Sequence, residues 1–553
     1  MRRITIEDAL LSCRPRWPRR GTWWIIIFSL ALKVAGGGAY AASAPALPEE
    51  IRQIFEKPLY RNSVWGLHVV DLQTGQVIYD LNSERPFLIG SVRKLFSVGL
   101  ALEALSPAHT FRTPVHRQGE IDSAGVLAGD LILVASGDLA MGGRTNPDGS
   151  FAITNLDHNE ANALGNAELT KPDPLAGYDA LASRVAAAGI KRITGEVIID
   201  DRLFEPFNFR EQFNVRPIFV NDDVVDVIIN PTAVGKSASV DWRPKSAAFG
   251  VQSTLMTGPA GASFNLSVEP ELPSCIGLKP CVGEVTGTLP VDFVPPLTGK
   301  FPVIRTFRIV EPSNYARTVL IEALGRAGVS VAANAVRPNP VQGLPPKNSY
   351  EQTTRVAELV SSPYRDYVKL ILKVSYNIGA DTSLVLFGLT KGASTMAGAL
   401  AAERETLATQ FGIRVSDLHF IDGSGGGDTT ATSPAVIKLL EEYSHRTTFP
   451  DFFDSLPRLG VDGSLVFVND FEKDATLAGA KGRVHAKTGT YVAATSEGMT
   501  LKAQALAGYI EAKSGRRLAF MLAVNDVPIT GINDVLAIFQ DQGTISAILW
   551  KGQ

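Results

Sequence analysis

Ser91-Val92-Arg93-Lys94, at the head of the apolar stretch Leu95-Phe96-Ser97-Val98-Gly99-Leu100-Ala101-Leu102, decides how this chain is read. Val92, Leu95, Phe96, Leu100 and Leu102 cover a broad apolar face, so a helix is expected over about 91–105. Serine and lysine three apart on a helix share a face. A lysine held there, partly desolvated and near other cations, gives up its proton and can serve as base for the serine. The free N–H groups of a helix N-terminus also suit a developing oxyanion. On its own the pattern fits equally well a capped amphipathic helix with an exposed lysine, so the surrounding sequence has to decide.

Working outward, Ser63 to Asp71 reads as a strand, Gln73-Thr74-Gly75 as a turn and Val77-Ile78-Tyr79 as the returning strand of a hairpin. Beyond Arg112, residues 119–350 hold short strands such as Leu131 to Val134 and Val224 to Ile229, broken by Pro, Gly, Asn and Asp. Two units there share a plan: a helix stopped by Gly189 and followed by Gly195 to Ile199, and a helix stopped by Gly328 and followed by Val329-Ser330-Val331. Pro338, Pro340, Pro345 and Pro346 make a linker. Helical patterns follow at about 355–373, 378–390 and 433–445. Then come a hairpin (Ala505 to Ala512, Arg517 to Val524) turning at Lys513-Ser514-Gly515, and a last helix from about Asn533 to Leu549. Strands at both ends with helices between predict one domain split by a long insert and closed by an antiparallel sheet that the two termini share.

Other chemistries find little support. The sequence has no Gly-x-Ser-x-Gly elbow and no His-Glu-x-x-His, and none of its seven His pairs with Cys at metal-ligand spacing, so neither a metal nor a cofactor is expected. Gly235-Lys236-Ser237 follows a strand as a phosphate loop would. However, Asn230 stands where the first glycine belongs, and Ala238 to Trp242 reads as strand.

Two further motifs lie in order behind the first. Ser375-Tyr376-Asn377 sits between two expected helices, and Lys487-Thr488-Gly489-Thr490 enters the carboxy-terminal sheet region. Ser263-Phe264-Asn265 is set aside because it lies in a strand-rich part of the insert, and Lys513-Ser514-Gly515 because it turns a hairpin. A Ser-x-x-Lys, Ser-x-Asn, Lys-Thr-Gly series is the motif set of penicillin-binding proteins and serine β-lactamases. The sequence resembles the D-alanyl-D-alanine carboxypeptidase/endopeptidases of the penicillin-binding protein 4 type. Ala135-Ser136-Gly137-Asp138, Ala187-Ala188-Gly189-Ile190 with Gly195 to Asp201, Asp422-Gly423-Ser424-Gly425 and Leu456-Pro457 through Gly460-Val461-Asp462-Gly463 extend the likeness over most of residues 60–525. The 284 residues from Ser91 to Ser375 fit that type alone, since class A β-lactamases and simple carboxypeptidases set these motifs far closer together. Departures are Arg93, where the family commonly has Met, Gly426-Gly427-Asp428, and a long stretch over 491–504.

The resemblance implies an α/β (α+β) fold: a penicillin-binding transpeptidase/serine β-lactamase-like domain with an antiparallel sheet and helices. Parts 44–118 and 351–553 would form the catalytic domain, and 119–350 a β-rich insert of two accessory domains. It implies a serine-type carboxypeptidase or endopeptidase acting on peptidoglycan stem peptides and acylated by β-lactam antibiotics. Ser91 would be nucleophile, Lys94 its base and Ser375 the proton donor to the leaving amine. Asn377 would hold the substrate amide, Lys487, Thr488, Gly489 and Thr490 would bind its terminal carboxylate, and the backbone N–H groups of Ser91 and Thr490 would form the oxyanion hole. A β-lactamase and a non-catalytic penicillin-sensing or wall-binding protein are the alternatives. Carboxypeptidase versus endopeptidase preference and oligomeric state stay open.

The 553 residues are 45% hydrophobic and 20% charged, an ordinary globular composition. Arg14, Arg16, Arg19 and Arg20 precede the run Trp23 to Leu32, and Ala39-Tyr40-Ala41 fits a small-x-small cleavage rule, so residues 1–43 read as an export signal and the protein as periplasmic. A retained membrane anchor is the alternative, and peripheral membrane association stays open. Without the seven basic and two acidic residues of that segment, 46 Lys+Arg face 54 Asp+Glu, and net charge moves from −3 to −8. An acidic chain argues against nucleic acid as partner. Of three cysteines Cys13 leaves with the signal. Cys275 and Cys281, six apart, read as one disulfide closing a short loop in an oxidising compartment.

Overall fold

The computed structural model describes residues 46–278, 281–495 and 498–553. The export-signal reading falls on residues 1–43, outside them. Among the described residues, no helix is long and apolar enough to cross a membrane.

A five-stranded antiparallel sheet organises the catalytic part. Its order is Val77–Leu81, Val64–Asp71, Arg517–Ile529, Gly498–Glu511, Val484–Thr495. The two ends of the chain meet where Val64–Asp71 pairs with Arg517–Ile529, Leu67 opposite Leu522. Alternation assigns the faces. Leu506, Ile510, Leu518, Phe520, Leu522 and Val524 pack in one core, and Ala505, Ala507, Tyr509, Ala519, Met521 and Ala523 in the other. The first face shares its core with Val535, Ile538 and Leu549 of the carboxy-terminal helix Ile532–Gly552. The second, lined with alanines, lies under a helical layer that includes Lys94–Leu105, Tyr364–Val374, Asn377–Thr390 and Ser433–Ser444. Small side chains there let the helices approach closely.

The insert leaves and returns through one strand pair, Thr110–Ile121 antiparallel to Arg355–Pro363. The neck therefore lies outside positions 119 and 350. Residues 355–363, expected as the start of a helix, are this return strand, and the helix begins only at Tyr364. Ala357 and Leu359 are buried and Val360 is exposed, and pairing across the neck decides between two local readings. The two neck strands are part of a six-stranded mixed sheet built on Val126–Val134, and the insert also holds a three-stranded sheet centred on Val224–Asn230 and a four-stranded sheet centred on Val282–Pro290. Val115, Leu131, Val227, Val285 and Phe307 from all three belong to one continuous apolar core. Cys275 and Cys281 form a disulfide in this region. Asp138 ties the insert down: its carboxylate accepts from Ala140 N, Met141 N and the Tyr367 hydroxyl, and Tyr367 stands on the helix that ends at Ser375.

Candidate active site

The nucleophile turn is fixed from both sides. Asn525 of the central strand accepts from Leu88 N at 2.9 Å and donates to Leu88 O at 3.1 Å. Gly90–Arg93 is a 3₁₀ turn that runs into the helix Lys94–Leu105. A Cβ on Gly489 would lie 1.9 Å from Ile89 O, and one on Gly425 would lie 2.0 Å from Gly90 O. Only glycine at both positions lets the edge strand and the Asp422–Gly425 loop close on this turn.

Lys94 is wholly buried. Its Nζ lies 2.6 Å from Ser91 Oγ, 2.7 Å from Asn377 Oδ1 and 2.9 Å from the Ser424 carbonyl. All three partners are neutral. Burial lowers Lys94 to about 7, Arg210 pushes the same way, and Asp381, Glu160 and Asp422 oppose. A lysine in this state at neutral pH has an appreciable unprotonated fraction and sits within proton-transfer distance of a hydroxyl. Asp381, buried behind the Asp422 loop, is raised to about 7 by burial and by Asp422.

Ser375 occupies the joint between Tyr364–Val374 and Asn377–Thr390 with φ of 65°, a left-handed conformation uncommon outside glycine. That turn aims its hydroxyl at Lys487, whose Nζ donates to Ser375 Oγ at 2.9 Å and to Thr488 O at 2.8 Å. Lys487 is fully buried, and burial together with the charge of Lys94 holds it well below the ordinary lysine range. On the edge strand, Thr488 Oγ1 is 2.8 Å from Ser464 Oγ, and Thr490 Oγ1 donates to Gln504 Oε1 at 2.9 Å. Thr490 N stands 3.0 Å from where a Gly90 Cβ would be, beside the nucleophile turn. Ser91 is half-buried and Thr490 exposed, so one side of the group opens to substrate. The structure thus brings Ser91, Lys94, Ser375, Asn377, Lys487, Thr488, Gly489 and Thr490 to one place. The disulfide Cys275–Cys281 lies elsewhere, within the insert.

The insert adds what the motifs did not announce. Glu160 Oε1 accepts from Asn377 Nδ2 at 2.7 Å, and Arg210 acts electrostatically on Lys94. Both line a cavity of about 190 Å³, together with Asn162, Glu271, Arg308 and Tyr376. Glu160 follows His158 in a 3₁₀ turn held by a buried ionic cluster. Arg144 donates to Asp222 and Asp157, and His158 bridges Asp222 at 2.9 Å and Asp226 at 2.7 Å. Asp157, His158 and Asp222 bring potential ligand atoms within 4.8 Å of one another, but the guanidinium of Arg144 is bonded to both carboxylates. Ser464 could have been suspected, since it directly follows the Gly460 to Gly463 segment. Glu160 and Arg210 sit in no motif.

The D-Ala-D-Ala carboxypeptidase 3 (S13) family model matches residues 47–540. The D-alanyl-D-alanine carboxypeptidase of Actinomadura sp. (strain R39) is 26% identical over 537 residues, covering 92% of this chain and 87% of that protein. Penicillin-binding protein 4 (dacB) from Haemophilus influenzae has the same fold: TM-score 0.64 at 18% identity, covering 91% of this chain and 99% of that one. A second crystal structure of it, complexed with a β-lactam, gives 0.62 at 20% identity. With a family model spanning nearly the whole described chain, this protein belongs to the D-Ala-D-Ala carboxypeptidase 3 (S13) family and is a serine peptidase.

Proposed function

We propose that this peptidase cleaves peptidoglycan stem peptides after the penultimate D-alanine through an acyl-enzyme on Ser91, and that penicillin acylates the same serine. The observation that carries the reading is Lys94 Nζ, 2.6 Å from Ser91 Oγ and lowered to about 7 inside a shell of neutral acceptors. Neutral Lys94 takes the Ser91 proton as Oγ bonds to the substrate carbonyl carbon. The N–H groups of Ser91 and Thr490 receive the oxyanion, each such donor contributing about 3 kcal/mol. As the C–N bond breaks, Ser375 passes its proton to the leaving amine and the proton that Lys94 took from Ser91 makes up the loss, while Lys487, hydrogen-bonded to Ser375 Oγ, keeps its own. Asn377 holds the substrate amide. Lys487, Thr488 and Thr490 receive the terminal carboxylate, whose charge supplies the counter-ion that burial withholds from Lys487. Water then cleaves the ester. Such a substrate lies outside the cytoplasm, which agrees with the export signal read in residues 1–43 and a periplasmic location.

Intact-mass measurement after penicillin treatment tests the nucleophile: one adduct is expected, lost in Ser91→Ala, and an adduct that survives the substitution overturns the assignment. D-alanine release from a pentapeptide separates this reading from a penicillin sensor, and slow nitrocefin turnover separates it from a β-lactamase. Products of digested purified peptidoglycan distinguish carboxypeptidase from endopeptidase action.

A further inference from the structure

Three successive backbone carbonyls, those of Asp422, Gly423 and Ser424, each accept from a side chain of the nucleophile segment: Arg93 Nε at 2.9 Å, Ser97 Oγ at 2.6 Å and Lys94 Nζ at 2.9 Å. The last of these is a direct partner of the proposed base. The first is backed by a buried ion pair. Arg93 Nη1 and Nη2 donate to the two carboxylate oxygens of Glu403 at 2.7 and 2.5 Å, on the helix Met396–Gln410, with Arg93 0% and Glu403 1% exposed. The guanidinium carbon stands 4.0 Å over the Phe420 ring, two residues ahead of the loop. From the loop's other side, Asp381 accepts from Gly423 N at 2.8 Å, and a Gly423 Cβ would come within 2.7 Å of Ala380 O. The loop has little freedom to drift unless the Arg93 end is released.

Arg93 is adjacent to Lys94 in sequence but reaches no partner around Ser91 Oγ. Its three hydrogen bonds go to Glu403, twice, and to a single carbonyl, with a fork geometry that lysine does not reproduce. A buried pair of this kind adds little net stability compared with an apolar pair of the same volume. What it adds is a fixed direction: a rigid planar group whose third edge is aimed at Asp422 O.

We propose that the Arg93–Glu403 pair is a positioning device for the base, holding the Asp422–Ser424 loop so that the Ser424 carbonyl fixes the Lys94 amine against Ser91. This rests on the acyl-enzyme reading above. Arg93→Met combined with Glu403→Leu removes both charges, and by the apolar-replacement argument folds with Tm within about 3 °C of the parent. In this variant the amides of residues 423–426 should exchange hydrogen faster. The rate constant of Ser91 acylation by penicillin should fall roughly tenfold, as expected when a catalytic group is misplaced by a fraction of an ångström. The noncovalent dissociation constant should change less than about twofold, since substrate-contacting groups are untouched. A folded double variant that acylates at the parental rate, or whose 423–426 amides exchange as in the parent, overturns the proposal. If the double variant does not fold, Arg93→Lys keeps the charge beside Glu403 while giving up the carbonyl contact, and a parental rate there overturns it equally. A parent chain that penicillin fails to label counts against the acyl-enzyme reading, and the exchange measurement still decides the placement of the loop.

Discussion

Two buried cations some sixty residues apart in sequence hold their protons in opposite ways. Lys94 and His158 are both withdrawn from water, and burial disfavours the charged form of each. Lys94 ends at about 7, far below an ordinary lysine, whereas His158 ends at about 10, far above an ordinary histidine. The difference lies in what touches them. His158 is in direct contact with two carboxylates, Asp226 and Asp222, and the attraction outweighs its desolvation. Lys94 touches a hydroxyl, an amide oxygen and a backbone carbonyl, and its carboxylates act from farther away against Arg210. Burial alone makes neither a base nor a structural ion. A neutral acceptor shell leaves a labile proton, and an anionic one locks it.

The insert's cluster should be the more costly of the two to disturb. Arg144→Met leaves Asp157 and Asp222 buried with only His158 to balance them, and should destabilise the protein by about 3–5 kcal/mol, read by urea unfolding. Because folded His158 keeps its proton to about 10 and an unfolded histidine loses it near 6.5, its own contribution is complete below about 6.5 and is lost as pH rises through 10. Stability should therefore decline over that window in the parent, and the decline should be absent in His158→Gln.

The comparison is broken most directly by giving Lys94 what His158 has. Asn377→Asp, made together with Glu160→Gln so that the new carboxylate does not face another, places an anion against Lys94 Nζ. The rate of Ser91 acylation should rise with pH through about 7 in the parent, following the neutral amine. In the double variant that rise should move upward by about one to three pH units, the range an adjacent opposite charge produces. An unmoved profile would show that the neutrality of the shell is not what tunes the base.

The sequence exposes the parts of this arrangement that are short in sequence or repeat with a period. Ser91 and Lys94 are one helical turn apart, Lys487 to Thr490 run along one strand, and Ala505 to Val524 alternates as a hairpin should. Residues 355–363 mislead because Val356, Ala357, Leu359 and Val360 satisfy a helical spacing nearly as well as an alternating one, and only the partner strand Thr110–Ile121 decides. The helix Met396–Gln410 leaves no such mark, since it buries few residues, among them Ala399, Glu403, Thr406 and Leu407, which make no apolar stripe. Glu160 reaches Asn377 across 217 positions, and the Ser424 group that fixes Lys94 is a backbone carbonyl, which has no residue signature at all. Long-range contacts and main-chain acceptors are set by the fold, and no local pattern encodes them.

Arg210 offers the gentlest test. It is exposed, lines the cavity beside Asn377, and its charge lowers Lys94 from outside the contact shell. Arg210→Met should therefore raise the proton affinity of Lys94 and move the acylation profile to higher pH by less than about one unit, a part of a surface charge's effect being screened. Salt should imitate the substitution: toward about 1 M, where the screening length falls to about 3 Å, the parent profile should drift upward toward that of the variant. The variant itself should respond less, because the buried carboxylates of Asp381 and Glu160 are shielded from solvent ions. Equal salt responses in the two proteins would place the control of Lys94 in its neutral shell alone, and would leave Arg210 to the substrate side of the cavity.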